Sequence, residues 1–320
     1  MHLVILDKSS LDCNDLDFSK LQTLGLELSI YDSTKAEQII ERIKDAEIIV
    51  TNKVVIDSSI LEQVHNLKLI CISATGTNNV DLISAKNKSI RVCNVRGYAT
   101  SSVVQHVFML ITTLNTKLIN YHQSVKEGRW SQSNLFCLLD FPIADLSEQT
   151  IGIIGYGELG KGVEKVAKAF GMRVLISESL QIGMGKSKDR VSLNKLLSES
   201  DIVTLHCPLT DETKNIISTN EFKKMKGNAL LINTARGGIV DENALLEALQ
   251  QKQIAGAGID VLKNEPPDRE NNLLMSELDN LVVTPHIAWA SAASRQRLLD
   301  GVVKNIEAYI KGDSLNIVNN

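Results

Sequence analysis

Between Thr150 and Glu178 the chain has few ways to fold. Thr150-Ile151-Gly152-Ile153-Ile154 is a short apolar run rich in isoleucine, suited to a strand buried on both faces. It leads directly into Gly155-Tyr156-Gly157-Glu158-Leu159-Gly160, a G-x-G-x-x-G. In that spacing the first glycine permits a tight turn and the second lets backbone approach a pyrophosphate. The third lets the following helix pack close to the strand. The helix body follows, with Val163, Val166, Ala167 and Phe170 as its apolar stripe and Gly171 as its stop. A second apolar run, Val174-Leu175-Ile176, ends at Glu178, 18 residues after Gly160. An acid at that distance accepts hydrogen bonds from adenosine ribose hydroxyls. A lone glycine motif says little. Strand, glycines, helix, strand and terminal acid in this order predict a dinucleotide site.

The rest of the chain repeats the same alternation. Leu3 to Leu6, Leu26 to Ile30, Glu47 to Val50, Leu69 to Ile72 and Ile90 to Cys93 read as strands. Between them lie helical patterns, such as Ala36 to Lys44 and one carrying Ile60, Leu61 and Val64 that Asp57 or Ser58 can cap. After Glu178 come strands at Ile202 to Leu205, Ala229 to Ile232, Gly258 to Val261 and Leu281 to Val283. Ser218 and Glu221 have capping-box spacing, and Asp241 can cap Glu242 to Gln250. A long helix over Ser101 to Lys117 sits between the two α/β stretches, and Ala290 to Lys311 is a last helical pattern that could return to the first. With 320 residues two domains are expected. The expected fold is α/β, two doubly wound parallel-sheet domains with a cleft between them. One holds residues 1–99 and 288–320, the other residues 100–287.

Composition excludes several functions. Hydrophobic content of 43% and charged content of 22% are those of a soluble globular protein. A net charge of −4 argues against a broad nucleic-acid or anionic-membrane surface. The five cysteines are an odd number without C-x-x-C spacing, so neither a disulfide framework nor a metal site is expected. The N-terminal residues read as a strand, not a signal peptide, and no apolar run approaches a membrane span, so a cytoplasmic location is expected. Gly128 to Leu146 is irregular yet carries Trp130, Phe136 and Phe141, which suits a segment packed against something.

Chemistry in such sheets gathers at the carboxyl ends of strands. Arg236 follows Leu231-Ile232-Asn233-Thr234-Ala235, Glu265 lies shortly after Asp260, and His286 follows Val283-Thr284-Pro285. Singly these read as an anion-satisfying loop residue, a solvated acid and a structural histidine. Together they suit reduction of a 2-keto acid by a nicotinamide. Arginine grips a carboxylate with two prongs, histidine donates a proton near neutrality, and a carboxylate orients the imidazole.

On these residues the chain resembles the D-isomer-specific 2-hydroxyacid dehydrogenases over nearly its whole length. The likeness rests on the glycine loop, Asn233-Thr234-Ala235-Arg236-Gly237-Gly238, Gly258-Ile259-Asp260-Val261 with Glu265-Pro266, and Thr284-Pro285-His286. It implies a flavodoxin-like substrate domain, a Rossmann cofactor domain and a catalytic set of Arg236, Glu265 and His286. It implies that backbone amides around Thr75 and Gly76 bind the substrate carboxylate, and that Asp260 holds the nicotinamide carboxamide. It places Cys207 and Pro208 beside the adenosine, with further cofactor contacts from Gly155, Gly157, Glu158, Leu159, Gly160, Glu178, Thr234, Ala235, Arg236 and His286. A homodimer through the cofactor domain is implied as well. Ala74 to Asp81, Asn94-Val95-Arg96-Gly97-Tyr98 and Phe136 to Asp140 are similar to the glycerate dehydrogenase (hydroxypyruvate reductase) branch.

The expectation is reversible reduction of hydroxypyruvate to D-glycerate with NADH. Rival substrates are glyoxylate, pyruvate and phosphohydroxypyruvate, the last disfavoured because the chain shows no appended regulatory domain and no evident extra phosphate site. The rival of another class is a nicotinamide-sensing corepressor on the same fold. Two residues depart from the family pattern. Glu178 replaces the aspartate of many relatives, and NADP use is the lesser alternative; Lys186, Lys188 and Arg190 read first as a solvated loop and second as cationic help for a 2′-phosphate. Arg96 stands where proline is frequent, as a second carboxylate contact or a surface residue.

Overall fold

The structure, a computed structural model, describes residues 1–179 and 189–320. Lys186 and Lys188 lie outside the described residues. The chain divides into two compact units, Met1–Ala99 with Trp289–Asn320, and Thr100–Ala288.

The first unit is built on a parallel sheet of β1 (His2–Ile5), β2 (Glu27–Ile30), β3 (Ile48–Thr51), β4 (Leu69–Ile72) and β5 (Arg91–Cys93), in the order β2-β1-β3-β4-β5. This is the flavodoxin-like order. Alternation along the strands sorts their side chains into two cores. Val4, Ile49, Ile70 and Val92 face one way, against Ile39, Ile43, Leu61 and Ala85 of the intervening helices. Leu3, Ile5, Ile48, Val50, Leu69 and Cys71 face the other, against Leu298, Val302 and Ile306. The last three belong to the Ala292–Ile310 helix, so the C-terminal segment covers a sheet face that the first hundred residues leave open. Asp57 caps its helix as expected, accepting from the Ile60 amide.

Among the described residues the second unit has six parallel strands: β6 (Thr150–Ile154), β7 (Arg173–Ile176), β8 (Ile202–Leu205), β9 (Leu230–Asn233), β10 (Gly256–Ile259) and β11 (Leu281–Val283). Their order is β11-β10-β9-β8-β6-β7. At the outer edge of β7 a single parallel bridge joins Ser177 to Val191. It stands where the third strand of a 3-2-1-4-5-6 dinucleotide sheet belongs. The central strands β6, β8, β9 and β10 are buried throughout, whereas the edge strands β7 and β11 are only partly covered. The Thr100–Asn115 helix packs on β9 and β10.

Two local expectations change. Ser218 does stand at the start of the Thr219–Phe222 helix, but its side chain caps nothing. Its hydroxyl instead approaches Asp241 Oδ2 at 3.5 Å, drawn by the carboxylate that caps the Glu242–Gln250 helix. The Ala36–Lys44 pattern begins as a 3-10 turn and becomes α-helical at Ile39. Ala288 sits with the second unit because its amide donates to Asp260 Oδ2 at 2.9 Å.

Candidate active site

The sheet order of the second unit reverses at β6, with β7 on one side and β8 on the other. The glycine loop lies at that point. Gly155 has φ +92°, and a Cβ there would stand 2.4 Å from the Cys207 amide nitrogen, so the turn after β6 presses against the backbone after β8. A Cβ on Gly160 would stand 2.3 Å from the Gly155 carbonyl oxygen, which is the close helix–strand packing. A Cβ on Gly157 would meet nothing, so this face is open to a ligand. The Glu158–Ala169 helix begins there and offers unpaired amides to an anion. Glu158 accepts from the Thr100 hydroxyl at 2.5 Å, and Leu159 begins the same helix beside it.

Around this turn is a pocket of about 360 Å³ lined by Gly155, Tyr156, Gly157, Ser177, Glu178, Ser179, Arg190, His206, Cys207, Pro208, Thr210 and Thr213. Of the residues expected near adenosine, Glu178, Cys207 and Pro208 therefore share one cavity. So does Arg190, whose guanidinium lies 5.6 Å from the centre of the Tyr156 ring. Burial pushes the Cys207 thiol up to about 11, which leaves it a neutral packing group. His206 is half-buried, with its ring Nδ1 enclosed. Its Nε2 lies 2.9 Å from Thr204 Oγ1, its Nδ1 has no partner, and burial depresses its pKa to about 4. Thr234, at the end of β9, carries another buried hydroxyl without a partner. An open glycine face, a helix start, an acid at the edge of the cavity and orphaned polar atoms all fit a dinucleotide.

The three candidate reactive residues follow adjacent strands. The register pairs Asn233 with Ile259 and Ile259 with Val283, so β9, β10 and β11 end side by side. Arg236, Glu265 and His286 project from the loops beyond them. A Cβ on Gly237 would stand 1.9 Å from the Leu262 carbonyl oxygen, so the arginine loop is wedged against the segment leading to Glu265. Glu265 is aimed from both sides. Its Oε1 accepts from the Leu262 amide at 2.9 Å, and its Oε2 lies 2.6 Å from His286 Nδ1. Arg236 is exposed, and its guanidinium donates to the Ala235 carbonyl at 2.7 Å while Asn233 holds the Arg236 carbonyl at 3.0 Å.

His286 has φ +54°, the left-handed region that a side chain other than glycine enters at a cost. Asp260 sustains it. The His286 amide donates to the Asp260 carbonyl at 2.8 Å, and the Asp260 carboxylate accepts from Ile287 and Ala288 amides, each at 2.9 Å. Asp260 is 2% exposed. The sequence pointed to Asp260 as a cofactor contact and missed this clamp. It also missed His206, which stands immediately before Cys207-Pro208, and Tyr156, which sits inside the glycine motif. Thr75 and Gly76 lie in the first unit beyond β4. The Thr75 hydroxyl donates to the Val95 carbonyl at 2.9 Å, and Asn94 Nδ2 donates to the Thr75 carbonyl at 2.7 Å. Arg96 is exposed. Among the described residues no group of three potential ligands could hold a metal, and no helix is long and apolar enough to cross a membrane.

A family profile described as the D-isomer specific 2-hydroxyacid dehydrogenase, NAD binding domain, matches residues 108–288. The chain belongs to the D-isomer-specific 2-hydroxyacid dehydrogenases. It is 46% identical to the glycerate dehydrogenase of Methylorubrum extorquens, over 99% of this chain and 98% of that protein. It is 38% identical to the hydroxypyruvate reductase of Blautia hydrogenotrophica over the full length of both. Among solved structures it resembles the Aquifex aeolicus D-lactate dehydrogenase complexed with NAD and lactic acid, with a TM-score of 0.84, 31% identity and coverage of 100% of this chain and 99% of that one. The chain is thus an NAD-dependent oxidoreductase of this family, and its second unit is the NAD-binding domain.

Two consequences can be measured. Glu178→Ala removes the carboxylate from a pocket that keeps Arg190, so the ratio of kcat/KM for NADPH over NADH should rise by roughly tenfold or more, equivalent to about 1.4 kcal/mol of relieved repulsion. His206 binds a proton below about 4 when folded and near 6.5 when unfolded. The unfolded chain therefore binds more protons between these values, and stability falls as pH drops from about 6.5 to about 4, by up to ~3 kcal/mol. His106, also lowered by burial, adds in the same direction. Urea unfolding over this pH range should show a shallower fall in His206→Gln than in the unaltered chain.

Proposed function

We propose that this enzyme reduces hydroxypyruvate to D-glycerate with NADH, reversibly. The observation that carries the reading is the Glu265–His286 pair beside the wedged Arg236 loop, at the strand ends of an NAD-binding sheet. Bound NADH supplies the hydride. His286 commits Nδ1 to Glu265, so Nε2 is the nitrogen that gives its proton to the substrate's C2 oxygen. Glu265 stabilises the charged imidazolium before that transfer and holds the ring in one orientation. Arg236 offers the planar fork that a 2-oxo carboxylate accepts. The full-length likeness to proteins named glycerate dehydrogenase and hydroxypyruvate reductase favours hydroxypyruvate over glyoxylate, which shares the keto acid but lacks the hydroxymethyl group. A cytoplasmic location accords with five unpaired cysteines.

We also propose a homodimer through the cofactor domain. The segment after the Leu118–Lys126 helix folds on itself through polar contacts. Trp130 Nε1 donates to the Phe136 carbonyl at 2.9 Å, and Arg129 pairs with Asp140 at 2.9 Å. Its large apolar side chains point outward: Phe136 is 91%, Leu139 80% and Leu135 64% exposed. A patch of that kind suits a covering partner.

The activity is tested by NADH consumption with hydroxypyruvate, glyoxylate and pyruvate at about 1 mM, the upper end of usual Michaelis constants. Hydroxypyruvate should give the highest kcat/KM, and His286→Gln should lower kcat by roughly 10² to 10⁴ while NADH still binds. Turnover of none of the three would favour a nicotinamide-sensing protein. Phe136→Asp with Leu139→Asp should convert a dimer to a monomer in light scattering, and an unchanged mass would sink the dimer surface.

A further inference from the structure

Behind the His286 loop stands a residue to which the reaction so far assigns nothing. His106 lies on the Thr100–Asn115 helix, which runs against β10 in a fixed register. A Cβ on Gly256 would stand 3.4 Å from Leu114, and one on Gly258 would stand 3.0 Å from Leu110. Helix residues four apart thus match strand residues two apart, in opposite directions. Four helical residues rise about 6 Å and two strand residues about 6.6 Å, so the match persists for another step. That step brings His106 to Asp260.

The contacts agree. Thr284 Oγ1 donates its hydrogen to Asp260 Oδ1 at 2.6 Å. His106 Nε2 lies 2.9 Å from the same hydroxyl oxygen and 3.5 Å from Asp260 Oδ1. The Thr284 hydrogen is already committed, so Nε2 carries a hydrogen and donates it to Thr284. The chain of donors runs from His106 to Thr284 to Asp260, and from Asp260 to the Ile287 and Ala288 amides that follow His286. The His106 side chain is only 10% exposed, so water competes little for these bonds. Burial lowers its pKa against the pull of Asp260, which keeps the ring a neutral donor near neutrality.

We propose that His106 is a positioning residue for His286. Through Thr284 it holds the Asp260 carboxylate in the orientation that sustains the left-handed turn at His286 and points the imidazole at Glu265. It acts through Thr284 and Asp260. Only the kinetic half of its test rests on the proposed reaction.

The test uses the full chain as His106→Leu, Thr284→Val and the double variant, with His106→Gln to restore an N–H donor. Hydrogen exchange read by mass spectrometry on peptides covering 284–290 reports the Asp260 clamp without any substrate. The Ile287 and Ala288 amides should exchange roughly tenfold faster in either single variant, and no faster in the double, because the two residues act in series. With hydroxypyruvate, kcat should fall roughly 10- to 100-fold, as for a displaced reacting group. The unfolding midpoint should stay close to that of the unaltered chain, and His106→Gln should recover most of kcat. If His106→Leu does not fold, His106→Phe fills the ring volume without a donor and is read in the same way. Unchanged exchange in a folded variant, or losses that multiply in the double, would overturn the proposal. An unaltered chain that does not turn over hydroxypyruvate would sink the proposed substrate, and the exchange experiment would still decide the role of His106.

Discussion

Parallel strands that end at one level are the constraint on which the second unit's chemistry depends. In register, Asn233, Ile259 and Val283 stand side by side at the tips of β9, β10 and β11. Short loops then carry Arg236, Glu265 and His286 from neighbouring tips, over a distance set by the strand spacing of about 4.8 Å. The Gly237 backbone abuts Leu262, the Leu262 amide binds Glu265, and Glu265 binds His286. Each contact locates the next, so a change at Gly237 would reach the imidazole through the Leu262 backbone and the Glu265 carboxylate.

The glycine loop works by a different steric logic at each position. Gly155 is needed for a positive φ and for the approach of the strand beyond it, Gly160 for the approach of the turn, and Gly157 to leave space empty. These requirements depend on backbone geometry within a few residues, which is why the spacing was legible in sequence. The strands were legible for a related reason: central parallel strands are buried on both faces and read as unbroken apolar runs. Edges were harder. Among the described residues the strand that would complete the sheet beside β7 is one bridge at Val191, where a single paired residue leaves no periodicity to read. Ser218 and Glu221 had the right spacing for a capping box, but the nearby Asp241 carboxylate, from a later helix, competes for the serine hydroxyl.

His106 marks the limit of such reading more sharply. It sits 178 residues before its partner Thr284, on a helix whose apolar stripe of Val103, Val107 and Leu110 explains the helix without it. A largely buried histidine on such a helix reads as packing. Its bond exists only because the glycines of β10 let that helix settle close to the sheet and hold its register to Asp260.

Asp260 is therefore asked to serve two masters. A carboxylate accepts about four hydrogen bonds. Thr284 and Ile287 take Oδ1, and Ala288 takes one position on Oδ2. The remaining capacity is on Oδ2, where the contact with the nicotinamide carboxamide that the family resemblance implies would fall. The same buried group would then sense whether the cofactor is in place and hold the loop that carries the proton donor. Asparagine could not do both. Its amide nitrogen would face either the Ile287 or the Ala288 N–H, donor against donor in a site 2% exposed. An unmade bond of that kind costs about 1–3 kcal/mol, which is comparable to the cost of holding a histidine at positive φ. The left-handed turn at His286 is thus affordable only while a carboxylate stands at position 260.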